Sequence, residues 1–200
     1  MTALAEDDMQ YVDRLRSKGL EIKVQPSTHT VFFENIYGDN PDIRTQNVLA
    51  KADPFAIEPL ESVEAQIFHL GPLLADDMST DFIRAISKKG KVSLDAQVYL
   101  RKVENQKVLA IDWPEKTEAL QYVNILKVDE AEMTVLTGYK QVSDGAKLLS
   151  DWGVQEVVVT NGSMGSTIYS GGAFYNIPAY RPKVIVDATG CGDTYMGGYL

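Results

Sequence analysis

From residue 64 onward, short apolar runs alternate with helix-like segments, and nothing else in the sequence limits the fold as tightly. AQIFHL, KVSLDAQ, NILKVD and VQEVVVTNG read as strands. Between them, STDFIRAISKKG, EKTEALQYV, EAEMTVLTG and VSDGAKLLSDWG carry helical spacing. A strand with an unbroken apolar run such as VVV must be covered on both faces. Alternation with helices therefore predicts an α/β architecture around a mainly parallel sheet. The punctuation agrees, with Ser79 or Thr80 placed to cap one helix and Gly138 to stop another.

The segments outside this rhythm read differently. AEDDMQYVDRLRSKGL is expected to be a helix, with Met9, Val12, Leu15 and Leu20 roughly on one side. The stretch IKVQPSTHTVFFENIYGDNPDIRTQNVLA has β-branched and aromatic runs broken by GDNPD, which predicts a hairpin or small antiparallel sheet acting as a flap. STIYSGGAFYNIPAY predicts a second hairpin with a Gly-Gly turn, and KVIVD a last strand.

Composition narrows the partners. The formal net charge of -9 argues against nucleic acid or an anionic membrane as partner. It does not argue against a local phosphate site, because backbone amides bind anions without net positive charge. The single cysteine, Cys191, permits no internal disulfide. No apolar run reaches the roughly 18 residues of a membrane span. MTALAEDDMQ lacks the basic and apolar parts of a signal peptide, so the expected location is cytoplasmic.

The chemistry concentrates in DATGCGDTYMGGYL, residues 187–200. A strand, a glycine-rich turn and a helix starting at Asp193 or Thr194 would make an anion site from free amides and the helix dipole. The pattern is neither GxxxxGK[ST] nor a full GxGxxG. Its distinguishing feature is the aspartate directly after the last loop glycine. There a carboxylate could accept a hydroxyl proton while the amides hold a phosphoryl group. Read from the residues alone, an aspartate that merely caps a helix is as good an account. Taken alone, TNGSMG reads first as a plain β-turn between strands, and DEAE at a helix start as dipole complementation.

DATGCGD resembles the D-T-x-G-A-G-D signature of the ribokinase-like carbohydrate kinases, the phosphofructokinase-B family. Asp187, Gly190, Gly192 and Asp193 match it, with Ala188 and Cys191 as small-residue departures. The resemblance implies that Asp193 is the catalytic base and that the amides of Gly190, Cys191, Gly192 and Asp193 form an anion hole. It implies that Asp187 and Thr189 help hold a monovalent cation, K+. TNGSMG resembles the family's TxGxxG element near the nucleotide, which implicates Thr160, Gly162 and Gly165. DEAE resembles its N-x-x-E helix start, with Asp129 in place of the usual asparagine and Glu132 matching, around magnesium and phosphate. SLDAQ stands at the family's D-x-N strand end through Asp95 and Gln97, where a strand-end turn is the competing use.

The fold implied is a ribokinase-like three-layer αβα sandwich with a mostly parallel sheet and a small β-lid. The division expected is residues 1–21 and 50–200 for the kinase core and 22–49 for the lid, through which a homodimer is expected. The activity implied is phosphorylation of a hydroxyl of a sugar, polyol or nucleoside by ATP with Mg2+. The alternative is a non-catalytic sugar- or nucleotide-binding protein on the same scaffold. Relative to the family pattern, the chain reads as truncated at both ends, without the segments that select the acceptor.

Overall fold

The computed structural model describes residues 1–37, 44–180, 182–184 and 189–200. The GDNPD turn and most of the KVIVD strand lie outside the described residues. Along the chain, β1 (Thr2–Leu4), α1 (Met9–Arg16) and β2 (Val24–Pro26) precede β3 (Phe32–Tyr37) and β4 (Arg44–Ala50). There follow β5 (Ile67–Leu70), α2 (Thr80–Ser87), β6 (Lys91–Asp95), β7 (Arg101–Glu104), β8 (Lys107–Ala110) and α3 (Lys116–Ala119). Then come β9 (Ile125–Asp129), α4 (Glu130–Thr137), α5 (Val142–Asp151), β10 (Glu156–Thr160), β11 (Ser166–Ser170), β12 (Ala173–Ile177) and α6 (Cys191–Tyr199).

The main sheet has the order β12-β11-β10-β9-β6-β5. Strands β5, β6, β9 and β10 are parallel, and β11 and β12 continue the sheet antiparallel. Each parallel step moves one place in the same direction. Right-handed crossovers then put α2, α3, α4 and α5 on a single face. The core obeys this: Leu94, Leu126, Val128, Val157 and Val159 pack with Ile83, Ile86, Met133, Leu136 and Leu149 in one buried cluster.

The opposite face is chemically different. Cross-strand register puts Ser93 and Asp95 of β6, Lys127 of β9, and Glu156 and Val158 of β10 on it together. Helix α6 lies over this face. Tyr199 hydroxyl bonds the Glu156 carboxylate, Tyr195 hydroxyl and Ser166 hydroxyl meet at 2.8 Å, and Met196 is fully buried. Helices on both faces complete an α/β three-layer sandwich.

Local chemistry explains the element ends. Ser79 accepts a hydrogen bond from the Phe82 amide and starts α2. Asp129 and Glu132 form a reciprocal capping box on α4, and Gly138, at φ 78°, ends it. Gly171 and Gly172 both take positive φ, which a two-residue hairpin turn requires.

A second sheet, ordered β3-β4-β8-β7, stands apart from the first. β3 and β4 supply the expected antiparallel flap. β7 and β8 come from residues 101–110, which the sequence leaves unassigned. They join β4 through the Asn47–Lys107 pair and a 2.7 Å bond from the Val48 amide to the Gln106 carbonyl. Their turn is Asn105-Gln106, with both residues at positive φ. β2, although inside the expected lid span, pairs in parallel with β1 instead.

Candidate active site

Three adjacent strands of the main sheet end in polar residues: Asp95 on β6, Asp129 on β9 and Thr160 on β10. In open α/β sheets, ligands bind beyond such carboxyl ends. Here the ends form the floor of a cleft of about 460 Å³. Phe33, Gln46, Val103 and Val108 of the small sheet line its opposite wall, so all four lid-sheet strands face the same space.

The N-terminus of α6 forms the third wall. The sequence places the helix start at Asp193 or Thr194, but the helix begins at Cys191 with Gly190 as its cap. Gly190 sits at φ 76°, a left-handed conformation that glycine adopts without penalty, and this turn starts the helix earlier than the aspartate alone suggests. The Thr194 amide bonds the Gly190 carbonyl at 2.9 Å. The amides of Cys191, Gly192 and Asp193 therefore precede the first intrahelical bond and have no acceptor within the helix. Asp193 itself is exposed, and its Oδ2 lies 3.9 Å from where a Cβ on Gly190 would stand.

The cleft brings together Asp129, Thr160, Gly162, Thr189, Gly190, Gly192 and Asp193. Cys191 does not line it; its side chain is exposed. Gly165 does not line it either. It packs so tightly on the end of β12 that a Cβ would stand 2.1 Å from the Ile177 carbonyl oxygen. Asp187 lies outside the described residues.

Glu132 faces an adjoining recess that shares Gln46, Gln97, Arg101, Val108 and Asp129 with the cleft. Its Oε2 accepts a hydrogen bond from the Asp129 amide at 2.7 Å, whereas its buried Oε1 has no partner among the described residues. Burial raises the Glu132 carboxyl above the usual carboxylate range, and the neighbouring Asp129 charge adds to it. Among the described residues, no three His, Cys, Asp or Glu side chains form a cage for a metal ion. The orphaned Glu132 oxygen beside Asp129 nevertheless fits a hydrated magnesium, which takes few protein ligands when phosphates supply the rest.

Lys127 is a site residue the sequence reading missed. It lines the cleft, and its Nζ pairs with Asp95 Oδ2 at 2.8 Å. Burial pulls the ammonium's pKa down, but the Asp95 charge and hydrogen bond more than offset this, with Glu132 and Asp129 behind, and the net direction is up. The signal was available: ILKVD carries a lone cation inside an otherwise apolar central strand. Beside the pair, His69 Nδ1 and Ser93 Oγ are 3.0 Å apart, and partial desolvation holds the imidazole below its usual pKa. Arg101, another cation of the cleft, contacts Gln46 across the small sheet at 3.3 Å.

Residues 11–200 match the model of the pfkB family carbohydrate kinases. A cytidine kinase from Thermococcus kodakarensis is 27% identical over 175 residues, covering 86% of this chain and 60% of its own. A ribokinase from Arabidopsis thaliana is 28% identical over 199 residues, covering 94% of this chain and 48% of its own. The chain thus spans about half to three fifths of the length of these relatives. Among solved structures, the sulfate complex of a pyrophosphate-dependent kinase in the ribokinase family superposes with a TM-score of 0.89. It is 29% identical and covers 98% of this chain and 70% of its own.

Proposed function

Since the chain belongs to the pfkB family of carbohydrate kinases, we propose that it carries the phosphoryl-transfer centre of an ATP-dependent kinase. Its acceptor is a hydroxyl of a sugar, polyol or nucleoside. The observation that carries this reading is Asp193 on the open amide end of α6, inside the cleft formed by the strand ends of the main sheet.

The acceptor hydroxyl gives its proton to the Asp193 carboxylate as its oxygen forms a bond to the donor's terminal phosphorus. The bond from that phosphorus to the bridging oxygen breaks, and its electron pair leaves with the remaining diphosphate. General-base assistance of this kind is worth about 10²–10⁴-fold in rate. The Cys191, Gly192 and Asp193 amides, fixed before the reaction, stabilise charge on the phosphoryl oxygens. Glu132 and Asp129 would hold magnesium through its water shell, and the ion would neutralise phosphate charge. Thr160 and Gly162 would border the nucleotide, with Gly165 fixing their turn, and Thr189 with Asp187 would hold a potassium ion.

In this reading the lid is the sheet of β3, β4, β7 and β8, so residues 101–110 join it and β2 of the expected 22–49 span does not; the rest of the chain is the kinase core. A lid over the acceptor excludes water, which would otherwise compete for the phosphoryl group. Phe32, Ile36 and Leu49 are exposed on the lid strands and suit a homodimer contact there.

A second reading concerns the donor. The similarity to a pyrophosphate-dependent kinase, at a TM-score of 0.89, favours inorganic pyrophosphate in place of ATP. Phosphorus NMR of the intact protein with Mg2+, either ATP or pyrophosphate, and a panel of sugars, cyclic polyols and nucleosides separates the two. A new phosphomonoester signal is expected with one donor. Binding of acceptor and donor with no phosphomonoester from either donor would leave the non-catalytic binding protein as the function.

A further inference from the structure

Lys127 is a costly residue for its place. Its side chain is 7% exposed, on the central strand β9, between Asp95 and Val158 of the neighbouring strands. Lysine is rarely buried so fully, and an ion pair there is no more stabilising than a well-packed apolar pair of the same volume. Packing alone gives no reason for the cation.

Its surroundings supply one. The ammonium points at the first turn of α6: a Cβ on Gly192 would stand 3.2 Å from Lys127 Nζ. Glycine at 192 thus lets the cation come up beneath the helix end. A positive charge against a helix N-terminus is unfavourable by itself, because both present positive potential. An anion held between them turns both into favourable contacts. The ammonium is also equipped for one. Among the described residues Asp95 is its sole hydrogen-bond acceptor, leaving two of its three N–H donors for ligand oxygens. Asp95 cannot readily swing away, since its Oδ1 accepts the Gln97 amide at 3.1 Å.

Building on the phosphotransfer reading, we propose that Lys127 is a catalytic residue that binds the terminal phosphate of the donor against the Cys191–Asp193 amides, with Asp95 as its fixed protein partner. The contact is to phosphate oxygens only, so it serves ATP and inorganic pyrophosphate alike. Lys127 lies on the donor side of the cleft, and the acceptor touches the lid wall opposite.

The test uses inorganic tripolyphosphate as the probe and calorimetry on the intact protein, with circular dichroism to establish folding. Lys127→Met alone leaves Asp95 buried and unpaired, so the double variant Asp95→Asn, Lys127→Met is measured beside it. Loss of the charge-assisted contact is expected to weaken tripolyphosphate binding at least about tenfold in the folded double variant. Asp193→Asn is expected to retain binding. A folded double variant that binds as tightly as the parent overturns the role of Lys127 while leaving the kinase reading intact. A parent protein that does not bind tripolyphosphate at all overturns the kinase reading, and this inference with it.

Discussion

Lys127 and Asp95 face each other at 2.8 Å from adjacent parallel strands, with only 7% and 13% of their side chains exposed. The pair lies where the polar face of the main sheet meets the amide end of α6. Breaking such a pair by removing one partner typically costs about 3–5 kcal/mol, because the other charge is left buried and uncompensated. Lys127→Met is therefore expected to be strongly destabilised in urea, and the Asp95→Asn, Lys127→Met double variant to recover most of the loss. Equal destabilisation of single and double variants would show that the packing of the lysine stem, not the charge, matters at this position.

Glu132 makes a prediction about pH. Its folded-state pKa is raised by burial and by Asp129, so the folded protein holds this proton more tightly than the unfolded chain does. Stability from this group is thus greatest at low pH and falls as pH rises above the ordinary glutamate range. Glu132→Gln keeps an acceptor for the Asp129 amide and removes the buried charge. At neutral pH the variant is expected to gain stability relative to the parent, read as a rise in Tm, less whatever the new amide N–H2 costs at the unpartnered position. The gain should shrink as pH falls into the ordinary glutamate range. Turnover should fall in the same variant if this oxygen serves the magnesium environment. A gain independent of pH contradicts the electrostatic account.

The two glycines of TNGSMG should separate by mutation. Gly165, at φ 101°, has no room for a side chain, since its Cβ would stand 2.1 Å from the Ile177 carbonyl oxygen. Gly162, at φ 46°, has nothing within 4 Å of a Cβ. Gly165→Ala is expected to lower Tm severely, because strain and overlap act together. Gly162→Ala should cost only about 1–2 kcal/mol of left-handed backbone strain. Its effect on donor affinity should exceed its effect on stability, because Gly162 borders the cleft. The reverse ranking of melting temperatures would contradict the geometry.

Most of the main sheet was legible because its strands are short apolar runs bounded by strong punctuation. Ser79, Gly138 and the Gly171-Gly172 turn act as their chemistry dictates. The hairpin of β7 and β8 was not legible, because Asn105-Gln106 reaches positive φ without the Asn-Gly pair that normally announces such a turn. The expected start of α6, Asp193 or Thr194, falls two or three residues late because the aspartate resembles a cap, whereas Gly190 holds that role through its backbone. Gly190, Gly192 and Asp193, which the structure places together in the cleft, stand out in the local pattern because they sit within four residues of each other. Lys127 does not, because its meaning depends on Asp95, 32 residues earlier, and Gly192, far later. Pairing across strands, not spacing along the chain, makes that part of the site.

The most direct test of the central claim is turnover by the Asp193→Asn variant of the intact protein, with donor binding followed by calorimetry. The account predicts that phosphorylation of the acceptor falls by about 10²–10⁴-fold, while the donor still binds. Unchanged turnover in the folded variant would contradict the assignment of Asp193 as the group that takes the hydroxyl proton.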